Sequence, residues 1–140
     1  MPPADDDLQR FVDAQSGYEQ VCEELRSGLK SGHWMWFIFP QLRGLGHSHM
    51  AKKFGISSRQ EAAEYLKHPV LGPRLEECTR LVNRIEARSI QQIFGSIDAM
   101  KFRSSMTLFA NASNNPVFKN ALAKYFNGKP DALTLERLKA

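Results

Sequence analysis

Groups able to stack on a ring, grip an anion and move a proton crowd into one stretch, His33-Trp-Met-Trp-Phe-Ile-Phe-Pro-Gln-Leu-Arg-Gly-Leu-Gly-His47-Ser48. Trp34 and Trp36, the only tryptophans, can wall a pocket or stack on a flat ligand. Gln41 and Arg43 follow, and the planar guanidinium of Arg43 suits phosphate or carboxylate. Gly44 and Gly46 let backbone N–H groups approach an anion, with Ser48 opening the next helix. His47 is the candidate for proton transfer, since an ordinary imidazole titrates at about 6.5. A core helix followed by a tight turn produces the same pattern, with Arg43 at the surface.

A second constellation is Lys101-Phe-Arg103-Ser104-Ser105-Met-Thr107-Leu-Phe109. Phe102, Met106 and Phe109 share one helical stripe, with Lys101 and Ser105 on one flank and Arg103 and Thr107 on the other. Lys101, Arg103, Ser104 and Thr107 can therefore complete an anion site. Alternatively, the hydroxyls bond back to carbonyls one turn earlier and allow close helix packing. Arg103 is the stronger candidate of the four, because a guanidinium among apolar residues needs an acidic partner or ligand.

No stronger signature is present. Ser27-Gly-Leu-Lys30 fits Ser-x-x-Lys, but the partner motifs of penicillin-recognising enzymes are absent. P-loop, nucleophile-elbow, His-Glu-x-x-His and paired-cysteine zinc patterns are also missing. His33, His47 and His49 have no neighbouring carboxylate or cysteine, so no metal site is expected. Cys22 and Cys78 sit beside glutamates inside helical patterns and read as buried structural thiols.

The elements that must position these residues are helical. Leu8, Phe11 and Val12 begin a short helix that Asp6 can cap; Tyr18, Val21, Cys22 and Leu25 form a second, stopped by Gly28. Trp34 to Phe39 is apolar on every side and must be enclosed, with Pro40 ending it. Ser48 caps a short helix to Phe54 or Gly55, and Ser58 with Glu61 forms a capping-box pattern closed by Pro69. Leu75, Cys78, Leu81, Val82 and Ile85 define a long helix over about 73–87. Ser89 and Ser96 read as successive caps around Gly95, Asn115-Pro116 as a start, Asn127-Gly128 as a stop, and Asp131 as the last cap.

These segments, with Leu8-Gln-Arg-Phe-Val-Asp-Ala-Gln15 and His68-Pro-Val-Leu-Gly-Pro-Arg-Leu75, resemble a bacterial family known as domain of unknown function eighteen-ten, sometimes labelled calpastatin. The resemblance covers nearly the whole chain. It implies a mainly helical single domain and brings no established activity. The calpastatin label does not suit this composition, because such inhibitors are disordered chains.

Composition agrees with one packed domain: 140 residues, 42% apolar and 24% charged. The reading is all-α, a compact single domain over 1–140 of about eight helices without significant sheet, with 1–5 as a flexible N-terminal extension. No stretch approaches the roughly 20 apolar residues of a membrane span, and the acidic start is unlike a secretory signal, so a cytoplasmic protein is expected. A net charge of +4 permits an anionic ligand without requiring nucleic acid. Lys52, Lys53 and the Arg80, Arg84, Arg88 stripe are the only grounds for nucleic-acid binding, and Glu76 and Glu77 can pair along that stripe. The expected partner is an anionic, nucleotide-like small molecule bound between the Trp34–Ser48 segment and the Lys101–Thr107 helix; the alternative is a protein-interaction module using the aromatic segment. Whether a cofactor is bound is not legible in the sequence.

Overall fold

The computed structural model describes residues 4–139, with side chains from residue 8 onward. Among the described residues ten α-helical segments follow one another: α1 (Ala4–Ala14), α2 (Tyr18–Ser27), α3 (Met35–Ile38), α4 (His49–Lys53), α5 (Arg59–Lys67), α6 (Leu71–Arg84), α7 (Ile90–Phe94), α8 (Ser96–Ala112), α9 (Pro116–Phe126) and α10 (Ala132–Lys139). A 3-10 turn, Gln15–Gly17, joins the first two. Among the described residues there is no sheet, only a parallel bridge of Leu42 with Ile56.

Of the expected N-terminal extension, residues 1–3 lie outside the described residues, while Ala4 and Asp5 already belong to α1. That helix starts upstream of Asp6, so Asp6 is not its cap.

Several boundaries follow from local chemistry. The hydroxyls of Ser48, Ser58 and Ser89 accept the backbone N–H of Ala51, Glu61 and Gln92, which opens α4, α5 and α7. Gln92 reciprocates to the Ser89 N–H, whereas the Glu61 carboxylate reaches one residue further back, to the Ser57 N–H at 2.8 Å. Asn115 caps α9 through Val117, with Pro116 at its first position, and Asn127 ends it in a left-handed conformation. Ser96 differs from expectation: it lies inside α8, and Gly95 both ends α7 and precedes α8.

At the centre lies α8, packed against α5, α7, α9 and α10. It is buried on every face from Ser104 to Phe109, and the small side chains of Ser104, Ser105 and Thr107 let its neighbours come close. Phe102 packs edge-on against Phe39 at 5.0 Å, and Phe109 stacks against Tyr65 and Phe118. The second layer is α6, against α2, α5 and α9, burying Leu75, Cys78 and Val82.

Between α5 and α6 the chain turns within three residues, and Gly72 makes the corner possible. A Cβ there would overlap the Leu66 carbonyl. The stretch Trp34 to Pro40 is enclosed as its composition requires, with Met35, Ile38 and Phe39 in the core.

Candidate functional site

The Trp34–Ser48 segment does meet α8, but through packed and partnered groups. Trp34 is only 5% exposed and lies against Phe39 and Phe94. Its indole Nε1–H donates to Glu24 Oε1 at 2.9 Å. The same oxygen accepts the N–H groups of Ser31 and Gly32 at 2.7 and 2.9 Å. Burial would raise the Glu24 pKa; the hydrogen bonds outweigh it and hold the carboxylate down at about 2.

Lys101 lies over the half-buried Trp36 ring at 4.6 Å and pairs with Asp98 at 3.6 Å. Lys30 pairs with the same carboxylate at 2.9 Å and also lies over the Trp34 ring. The two ammonium groups therefore share one carboxylate, Asp98, and each also faces an indole ring. Ser104 and Thr107 donate to the carbonyls of Met100 and Arg103, and Thr107 accepts the Asp131 N–H at 2.9 Å. The Ser104 hydroxyl is thus engaged within α8, while that of Thr107 also ties α8 to the start of α10.

Arg103 points elsewhere. Its Nε–H donates to the Lys129 carbonyl at 3.0 Å and its guanidinium lies over the Phe126 ring. It shares no partner with Arg43. Where Trp36, Gln41 and Gly46 come together with Phe54, the cavity measures about 10 Å³, room for about one water molecule. The Gln41 carbonyl is occupied by the Ile56 N–H.

His47 is exposed and makes no hydrogen bond among the described residues, so no neighbouring group orients it as a general base. Among those residues no three His, Cys, Asp or Glu side chains gather in a way that could hold a metal. Burial raises the thiol pKa of Cys22, and still more that of Cys78, which disfavours the thiolate form.

The turn after Leu42 leads to a different constellation. Arg43 donates its backbone N–H to Ile56 and its guanidinium to the Gly55 carbonyl at 3.1 Å. Gly44 adopts φ +101°, and any Cβ on it would overlap the Arg137 guanidinium from α10. Arg43 and Arg137 then line a groove of about 160 Å³ with Ser57, Ser58 and Arg59. Leu42 and Leu138 supply the apolar part of its wall.

Among the described residues, neither Arg59 nor Arg137 has a carboxylate partner. The nearby Glu61 is buried and turned to the Ser57 N–H and to Arg10 at 3.8 Å. Ser58 and Arg59 also open α5, whose first turn presents the positive end of the helix dipole.

Of the residues the sequence singles out, Arg43 lines this groove and Gly44 stands beside it; Arg59, Arg137, Ser57 and Ser58 are not among the sequence candidates. Ser58 was legible only as a cap. Nothing in the chain marks Arg137 as a neighbour of Gly44, since tertiary packing of α10 alone brings them together.

Among the described residues no helix is long and apolar enough to cross a membrane. No functionally curated protein matches the chain. The chain is similar to the conserved hypothetical protein Rv1873 from Mycobacterium tuberculosis, whose crystal structure superposes with a TM-score of 0.94 at 57% identity, over 96% of this chain and 97% of that one. Residues 5–138 match the model of a family described as protein of unknown function (DUF1810), and the chain belongs to that family.

Proposed function

We propose that this protein binds an anionic small molecule, with a phosphate group held in the groove formed by Arg43, Arg59 and Arg137. The observation that carries this reading is a groove lined by three arginines and two serines with no acidic residue in the wall. Guanidinium forks match phosphate oxygens in pairs, and the Ser57 and Ser58 hydroxyls add donors at the start of α5. The groove has no aromatic wall, so it suits the phosphate of a nucleotide-like ligand better than its base.

An interaction module built on exposed tryptophans has less support, because Trp34 is buried and tied to Glu24. A nucleic-acid surface on α6 is weakened likewise: Arg80 pairs with Glu76 one turn away.

Thermal denaturation with inorganic phosphate, pyrophosphate, nucleotides and simple carboxylates tests the proposal. A ligand at a hundredfold excess over its dissociation constant adds about 2.7 kcal/mol of stability. Phosphorylated ligands are expected to raise Tm, and Arg59→Ala and Arg137→Ala to remove the shift, while Arg103→Ala preserves it. Absence of any shift, or a shift that survives in both groove variants, refutes the reading.

A further inference from the structure

A second concavity, of about 450 Å³, opens between α8, α9 and α10. Its volume lies within the roughly 300–1,000 Å³ typical of small-molecule sites. Ala110, Leu122, Pro130 and Leu135 give it an apolar wall, and Lys119 and Asn111 are its polar members. Asn111 donates Nδ2 to the Thr107 carbonyl at 2.8 Å, which ties its amide to α8.

Lys119 is different. On the same helix, Lys124 bonds to the carbonyls of Asn83 and Ile85, both at 2.6 Å, and pairs with Glu86. Lys119 makes no such bond or ion pair among the described residues, and the cavity wall contains no carboxylate. A concavity with an apolar wall and one exposed ammonium that no carboxylate of the protein occupies is complementary to a molecule that carries a carboxylate on a hydrocarbon body. We infer that this cavity is a binding site for an amphiphilic carboxylate, with the hydrocarbon between Leu122 and Leu135 and the carboxylate on Lys119 Nζ. The site is separate from the arginine groove, since the two have no wall residue in common.

Decanoate and the neutral decanol, titrated into the full chain and followed by calorimetry, test this inference. Decanoate is expected to bind, decanol to bind about two- to fivefold more weakly, and Lys119→Ala to remove that difference. Ala110→Phe, which fills the slot, is expected to abolish binding of both; circular dichroism shows whether it folds. Because Lys119 lies on the surface, Lys119→Glu provides a second variant, expected to weaken decanoate more than decanol. Arg59→Ala and Arg137→Ala are expected to leave decanoate binding unchanged, whatever becomes of phosphate binding. Failure of decanoate to bind, equal binding of both probes, or loss of binding in the groove variants overturns the inference.

Discussion

Glu24 shows how much one side chain can organise. Its carboxylate accepts two loop amides and an indole, and those bonds keep it ionised far below the usual 4.5. A carboxyl whose folded pKa is lowered gives stability that is fully present above its unfolded pKa and lost as pH falls toward the folded value. The window here runs from 4.5 down to about 2. Urea unfolding from pH 7 to pH 3 is expected to show Glu24→Gln less stable by about 2–3 kcal/mol at neutral pH, with the gap closing as acid is added. A constant gap would show that the charge is not what matters. Ser105 is the opposite case: its hydroxyl is buried without a partner among the described residues. Ser105→Ala is therefore expected to be neutral or to raise stability by up to about 1 kcal/mol, measured by the same denaturation. Gly44→Ala combines left-handed backbone with displacement of Arg137, and is expected to cost about 1–3 kcal/mol and to weaken phosphate binding as well.

Among the elements, the corner between α5 and α6 is the most demanding. Gly72→Ala forces a methyl into the Leu66 carbonyl, and backbone cannot swing aside as a side chain does. A loss of about 2 kcal/mol or more is expected, read as a lower Tm with secondary structure retained below the transition. Helix existence was largely legible because the signals are local: Ser48, Ser58, Ser89, Asn115 and Asp131 each cap where their types and positions suggest. The long helix is displaced, running from Leu71 to Arg84 rather than from about 73 to 87, because Val70 and Leu71 continue directly from the His68 turn. The signal is short-range but unusual, since a His68 ring nitrogen, not a hydroxyl or carboxylate, accepts the first amides. The Gly72 contact was equally hidden, since its cause is a carbonyl on another helix.

At the scale of the whole molecule, α8 is buried all round from Ser104 to Phe109, so residues that look chemically active in its sequence serve as packing. The hydroxyls of Ser104 and Thr107 donate to carbonyls of α8 itself, Lys101 pairs with Asp98, and Arg103 donates to the Lys129 carbonyl. The candidate groove was legible in the sequence only at Arg43; Arg59 and Arg137 reach it from separate helices. The Glu24 loop is bound into that same architecture, because Lys30 donates its backbone N–H to Ile93 and pairs with Asp98. Amide protons of Ser31 and Gly32 belong to no helix, yet they cannot meet solvent until Glu24 lets go. In native-state hydrogen exchange these two loop positions should carry protection comparable to that of the core helices, marking a loop that opens only with the domain.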